Sequence, residues 1–410
     1  MSAPEQWDVV VVGAGPAGAT AAIAALRATP HARVLLLDRD DFPRDKCCGD
    51  GIAPHALDVL ARLGVHDAVE GWEPVLRLDL SHGASSVEGR LDRPVWVVPR
   101  AVFDAGLVRH AVSAGAVLAR HRVRDVVVAD GRVVIDGRFA APVVVGADGA
   151  RSVVRAAAGS RLAGRRALAI RGYAPTPSAW RGRQLIRYGE RRQPSYAWAF
   201  DRGDGLSNVG YGELDAPGAG LSRTLLLDEL ERIIPGAGAT GSDWRAHHLP
   251  LSGWGRGSSQ PSGPLLLAGD AAGLVNPLTG EGIYYAVATG AVAGRVAAES
   301  VRVGRPDRAG AQHRAELRSL LGRHMRHTWA AARLSRHPAV VEAGIGAAAG
   351  HQRVFDDLVE LGLGDGRITP RLVRGLGRQL GPRLGQGLVH HLGASRVGAA
   401  PETATMNREI

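Results

Sequence analysis

The 410-residue chain has almost no lysine: Lys46 is the only one, although lysine and arginine together number 50. Its two cysteines are adjacent, at Cys47 and Cys48. Neighbouring cysteines rarely staple a fold, so a disulfide framework is excluded and a reducing, cytoplasmic setting is expected. No uninterrupted apolar run reaches the roughly 18 residues that a membrane span requires. The start of the chain does not read as a secretory signal, because its first apolar run already leads into a glycine turn. Compact Lys/Arg runs and nucleic-acid motifs are missing too, so nucleic acid is not an expected partner. The formal charge is nonetheless +10. Arginine in place of lysine, beside abundant Ala and Gly, has the look of high-GC coding. It also leaves a basic surface able to attract anionic lipid, as a peripheral membrane contact, or an acidic carrier domain.

What is present is an ordered set of turns. Asp8 to Val12 is a continuous β-branched run, as in a strand buried on both faces. Gly13, Gly15 and Gly18 follow in a G-x-G-x-x-G turn with Ala14, Pro16 and Ala17, opening an Ala-rich helix to about Arg27. A second strand, Val34 to Leu37, ends at Asp38, twenty residues after the last glycine. Strand, turn, helix, strand and acid in that order make a dinucleotide-binding βαβ unit. Gly13 and Gly15 let backbone N–H groups approach a pyrophosphate, and Gly18 lets helix and strand pack closely. Asp38 accepts from an adenosine ribose, with Arg39 and Val123 as further candidate contacts.

Further along, 41–51 reads as a loop and 53–63 as a helix. Segments near 75–82 and 94–98 alternate like strands of another sheet. Arg100 opens a helix to about Ser113, and its guanidinium suits a phosphate unless it is a surface arginine. Strands and a hairpin turn at Asp130-Gly131 fill 117–135. Val143 to Val145 is a buried strand ending at Asp148-Gly149. Short alternating runs over 166–260 predict a mostly antiparallel sheet. Leu265 to Ala268 returns as a Rossmann-type strand, and long helices are expected over 283–303 and 308–335. Gly269-Asp270 brings an acid near a ribitol chain. Pro277 to Gly282 leads into a helix beginning near Ile283, whose free N–H groups and positive end suit a reduced flavin's pyrimidine edge.

These readings predict an α/β protein. A Rossmann-type FAD-binding domain is split over 1–75, 99–165 and 261–340. A substrate-binding β-sheet domain occupies 76–98 and 166–260. A helical C-terminal region covers 341–395, with a disordered tail at 396–410. No metal site is expected.

GAGPAG, GADGARSVVR and GDAAGLVNPLTGEGIYYA resemble the three flavin motifs of the para-hydroxybenzoate hydroxylase superfamily. FPRDKCCGDGI is similar to the P-R-x-K-x-C-G-x-G loop of the geranylgeranyl reductase family, with Lys46, Cys48, Gly49 and Gly51 on the motif. YAWAF, Tyr196 to Phe200, is similar to that family's Y-x-W-x-F-P strand, followed by Gly210 and Gly212. The resemblance covers roughly 7–300. It implies Lys46 and Cys48 as catalytic residues beside the flavin, with Gly280 and Gly282 completing the catalytic set at its reacting edge. It also implies a pocket lined by Tyr196, Trp198, Phe200 and Pro277. From spacing alone, the three aromatics share one face of a strand and suit either a pocket or plain core. Cys48 reads either as pocket wall or as a small buried residue. The chain departs from the family at Asp201, where the strand motif has proline, and nothing in the pattern indicates a long isoprenoid tunnel.

The expected function is FAD-dependent hydride transfer between flavin N5 and a carbon–carbon double bond of an apolar isoprenoid, polyene or other secondary metabolite. NADPH or reduced ferredoxin serves as a transient donor, because no second dinucleotide fold is legible. A single-component flavin monooxygenase is the alternative, and a non-catalytic flavoprotein the third. The loop after Lys46 and the absence of W-x-W-x-I argue against halogenation.

Overall fold

The computed structural model describes residues 3–129, 131–216, 218, 220–253 and 260–381. The expected turn residue Asp130 and the expected tail at 396–410 lie outside the described residues.

Four valines, Val9–Val12, sit at the centre of a five-stranded parallel sheet. The order is Leu265–Leu267, Val143–Gly146, Val9–Val12, Val34–Asp38 and Val117–Arg120. All four central valines are buried, as expected for a sheet covered on both faces. The Pro16–Ala28 helix packs against the sheet and against the Ile283–Arg302 helix. That helix pair is unusually close. A Cβ added at Gly290 or Gly294 would lie 2.2 Å from Ala17 O or 1.9 Å from Ala21 O. The Ala/Gly-rich sequences of both helices are what permit this approach. A small sheet of Glu5–Gln6, Phe139–Ala141, Arg132–Ile135 and Val126–Ala129 flanks the unit.

The second layer is an eight-stranded sheet. Its order is Ser242–Pro250, Arg166–Pro175, Leu206–Asp215, Tyr196–Asp201, Arg183–Tyr188, Val75–His82, Ser85–Val97 and Gly51–Ile52. It is antiparallel except where Arg183–Tyr188 runs parallel to Val75–His82, which welds two distant stretches of chain into one sheet. The strand expected near 94–98 begins at Ser85. Its first half carries charges on its outward face, which hid it from a hydrophobic reading. The 166–260 stretch also contains two helices, Arg223–Ile233 and Ala237–Thr240, that the alternating pattern did not announce.

The helices Pro338–Ala349 and Gln352–Leu363 are not a detached appendix. Val341, Ile345 and Phe355 share one core with Leu78, Leu80, Val95 and Val97. A Cβ at Gly89 would meet the tip of the Phe355 ring at 2.0 Å, so the strand needs glycine where that ring abuts it.

Candidate active site

The first glycine turn closes against the strand beside it. Gly13 has φ +96°, and a Cβ there would stand 2.4 Å from Ala147 O. A Cβ at Gly18 would strike Gly13 O at 1.7 Å. Gly15 differs. It caps the Pro16–Ala28 helix with no side-chain partner, and its missing Cβ opens into a cavity. The Arg44 and Arg100 guanidinium nitrogens lie 3.5 and 3.8 Å from that point. Free helical N–H groups faced by two arginines fit a diphosphate.

Arg100 is buried and bidentate to Asp104 at 2.6 and 2.7 Å. Arg44 bridges Asp104 at 3.3 Å and Asp38 at 3.4 Å. Sequence reading passed over Arg44 and Asp104. The arginine of FPRDK was the available signal for the first. Asp38 Oδ2 accepts from the Ala14 N–H at 2.7 Å, so the acid also holds the turn. Arg39 and Val123 line the same end of the cavity with Asp40, Arg122 and Arg124. Asp148 and Gly149 line it too. Asp148 caps the Val153–Ala157 helix by accepting from Val153 N at 2.7 Å. Ala14, Gly18 and Gly269 stand behind the wall rather than on its surface.

The lone lysine ties the 41–51 loop down. Lys46 Nζ donates to Asp270 Oδ2 at 3.0 Å. Burial works to raise the Asp270 carboxyl, but the Lys46 ammonium, with His247 and Arg100 behind it, outweighs that and the net shift is downward. Fully buried Arg171 donates to Asp45 at 2.5 Å from the sheet side. Asn208 donates from Nδ2 to Cys48 O at 2.9 Å and to Asp50 Oδ2 at 2.8 Å. Trp198 Nε1 donates to Asn208 Oδ1 at 2.8 Å, and the Tyr173 hydroxyl donates to Asp50 at 2.7 Å. Burial pushes Asp50 up to about 6 against these hydrogen bonds. Trp198 therefore holds the cysteine loop as well as lining the cavity. Cys48 is raised, chiefly by burial, so it is a thiol rather than a thiolate. Burial pushes Cys47 up to about 12, and its thiol donates to Arg245 O at 3.1 Å.

The aromatic strand stands across from the loop. Tyr196, Trp198 and Phe200 share one face and all line the cavity. Trp198 pairs across the ladder with Gly210 and Tyr196 with Gly212. A Cβ at Gly210 would lie 2.3 Å from the Trp198 ring, which explains the glycine. Asp201 accepts from Gly182 N at 2.6 Å and does not line the cavity. The proline-to-aspartate departure is absorbed outside the pocket.

Residues 277–282 form the far wall, and Pro277, Gly280, Gly282 and Ile283 line the cavity. The Tyr196 hydroxyl donates to Thr279 O. The helix N-terminus is not free, as the sequence had implied. Glu281 accepts from Tyr284 N at 2.9 Å and also from Ile283 N. Burial pushes Glu281 up to about 7 despite those donors. Asn276 Nδ2 donates to Leu361 O at 3.1 Å, and Thr279 Oγ1 to Gly362 O at 2.7 Å. The loop is thus bolted to the Gln352–Leu363 helix.

One cavity of about 1650 Å³ runs through all of these parts. Ligand pockets commonly hold about 300–1,000 Å³, so there is room here for a dinucleotide and a second molecule. Past the aromatic row it continues between Leu80, Val95 and Ile186 of the sheet and Val341, Ile345 and Leu358 of the late helices. A long apolar channel, absent from the sequence reading, is therefore present.

An FAD-binding domain model matches residues 6–187. The chain is 35% identical over 331 residues to a menaquinone reductase of Mycolicibacterium smegmatis, covering 72% of this chain and 76% of that protein. It is 32% identical over 328 residues to digeranylgeranylglycerophospholipid reductase 1 of Methanopyrus kandleri, covering 72% and 81%. This chain belongs to the geranylgeranyl reductase family of FAD-dependent oxidoreductases. A geranylgeranyl bacteriochlorophyll reductase-like structure from Thermoplasma acidophilum shares the fold of this family member, with a TM-score of 0.74 at 19% identity. That match covers 95% of this chain and 99% of the other. FAD fits the cradle for a physical reason: the one Cβ that would fill it is missing, and the charges around it suit a diphosphate. Among the described residues, no helix is long and apolar enough to cross a membrane.

Proposed function

We propose that this protein reduces a carbon–carbon double bond in a long isoprenoid chain. The observation that supports it is the apolar channel leading from the cysteine loop to the late helices. FAD, when bound and reduced, supplies a hydride. Gly13, Gly15, Arg44 and Arg100 hold its diphosphate, and Arg39 and Val123 border its adenosine end. The Lys46–Asp270 pair closes the 41–51 loop over the cofactor. Gly49 lies against Trp198 and Phe200, so the reacting segment lies between Tyr196, Trp198 and Phe200 on one side and Pro277–Gly282 on the other. Apolar walls exclude water. Glu281 holds the proton that the second carbon receives, because burial lifts its carboxyl to about 7 and so keeps a large share of it protonated near neutral pH. NADPH or reduced ferredoxin delivers electrons transiently.

The test is anaerobic. Holoprotein is reduced, mixed with geranylgeraniol, and followed by flavin absorbance. Reoxidation by the alkene without air, with a saturated product, is the expected result. Reoxidation only on admission of air, with an oxygenated product, would favour the monooxygenase and overturn the proposal.

A further inference from the structure

The channel opens where two basic stretches of chain meet. Residues 323–341 and 366–381 hold four arginines each and no aspartate or glutamate. They account for +8 of the chain's net +10. Their contact is direct: the Ile368 N–H donates to His327 Nδ1, and Ala331 packs with Leu372 and Leu376. The His327 imidazole is pushed down by burial and by Arg367, Arg326 and Arg323, so the positive field reaches the junction.

The same place is apolar at its centre. Leu334 is 51% exposed and Val373 54% exposed. Of the exposed large apolar side chains among the described residues, these two alone also line the cavity. Leu376 and Leu380 continue the lining one and two turns along from Leu372. Arg333, Arg374 and Arg378 are exposed around them and form no ion pair among the described residues. Arg371, by contrast, is neutralised by Asp357 at 2.5 and 2.7 Å.

An apolar opening rimmed by Arg333, Arg374 and Arg378 matches an anionic bilayer on both counts. Leu334 and Val373 meet acyl chains while the arginines meet headgroup phosphates. We infer that this mouth docks on an anionic lipid surface, so that a membrane-dissolved chain slides into the channel without crossing water. The inference rests on the proposed chain-reducing role for what enters the mouth, but the docking itself is read separately. An acidic protein would satisfy the arginines and leave Leu334 and Val373 without a reason to line the opening.

The test uses full-length holoprotein and vesicles of phosphatidylcholine, alone or mixed equally with phosphatidylglycerol. The protein should sediment with the anionic vesicles and not with the neutral ones. The R374E/R378E variant should bind about thirty-fold more weakly or worse. R374A/R378A serves if the reversal impairs folding. Reduction of a short prenyl alcohol in solution should be unchanged in the variant, while reduction of a long polyprenyl chain embedded in anionic vesicles falls with binding. Equal binding to both vesicles, or variant binding equal to wild type, would overturn the inference. So would a dimer that the variant dissociates with no vesicle binding. Wild type that binds anionic vesicles but reduces neither chain would sink the reductase proposal and leave the docking intact.

Discussion

The two ends of the cavity are built on different principles. The nucleotide end is polar and made of backbone: Gly13 and Gly18 are required by contacts of 2.4 and 1.7 Å, and buried Arg100 and half-buried Arg44 are matched to Asp104 and Asp38. The chain end is apolar and made of interchangeable side chains from a sheet and four late helical segments. The first tolerates almost no substitution, because a Cβ there meets backbone or cofactor. The second tolerates many, because hydrophobic volume is conserved more easily than geometry. Substitutions at one end should therefore separate cleanly from substitutions at the other.

The largest effect is expected at Gly15. Its Cβ direction is open toward the cavity, with no protein atom closer than 3.5 Å, so Gly15→Val leaves the fold intact and fills the diphosphate cradle. The variant should purify folded and colourless, with flavin affinity down roughly a thousand-fold by fluorescence titration, on the order of 4 kcal/mol. A yellow variant would break the assignment of the polar end.

Glu281 lies where the two ends meet. Its carboxyl is raised by burial to about 7, so it is protonated below that pH and loses the proton above it. Turnover should fall about tenfold per pH unit on the alkaline side. Glu281→Gln should cost roughly a hundred-fold and abolish that limb. Stability gives a second readout. The folded pKa exceeds the unfolded value of about 4.3, so the native state binds this proton more tightly. The contribution is fully present below about pH 4 and is lost as pH rises through about 7. Urea titrations across that window should show the slope flattened in the glutamine variant. An unchanged alkaline limb would remove Glu281 as the proton source.

At the apolar end, Gly344 is buried on the Pro338–Ala349 helix and lines the channel, with Leu376 no closer than 3.9 Å to its Cβ direction. Gly344→Leu should narrow the channel and leave flavin content unchanged. KM for a twenty-carbon prenyl substrate should rise about tenfold, and KM for a ten-carbon one should hold, consistent with ~1–3 kcal/mol of overpacking. Equal effects on both lengths would mean the long chain takes another path.

The same contrast explains what the sequence made legible. Gly13, Gly15, Gly18 and Asp38 could be read in advance because backbone geometry demands particular residues at fixed spacing. The Arg44–Asp104 pair could not, since its members are 60 residues apart and only the fold joins them. The channel was invisible for a further reason. Leu78, Ile186, Val341 and Leu358 are ordinary core residues in sequence, and only packing shows that they leave a space between them. Leu372, Leu376 and Leu380 recur every fourth residue among arginines, which was a usable sign of an amphipathic helix. The buried Asn276, which bolts the 277–282 loop to the Gln352–Leu363 helix, gave no such sign.

The smallest effect expected is at Trp198, and it sharpens the comparison most finely. Its ring packs over Gly210 as any aromatic would, but its Nε1–H donates to Asn208, whose amide holds Cys48 O and Asp50. Trp198→Phe keeps most of the apolar wall and leaves one acceptor of Asn208 unpaired in a buried place. The cost should be ~1–3 kcal/mol of stability, read from thermal unfolding. Turnover should fall only several-fold, with KM for the isoprenoid nearly unchanged, because the loop loosens while the wall remains. If KM rose and stability did not move, Trp198 would be a wall and nothing more. The boundary between the two ends of the cavity would then lie on the cysteine loop rather than on the strand behind it.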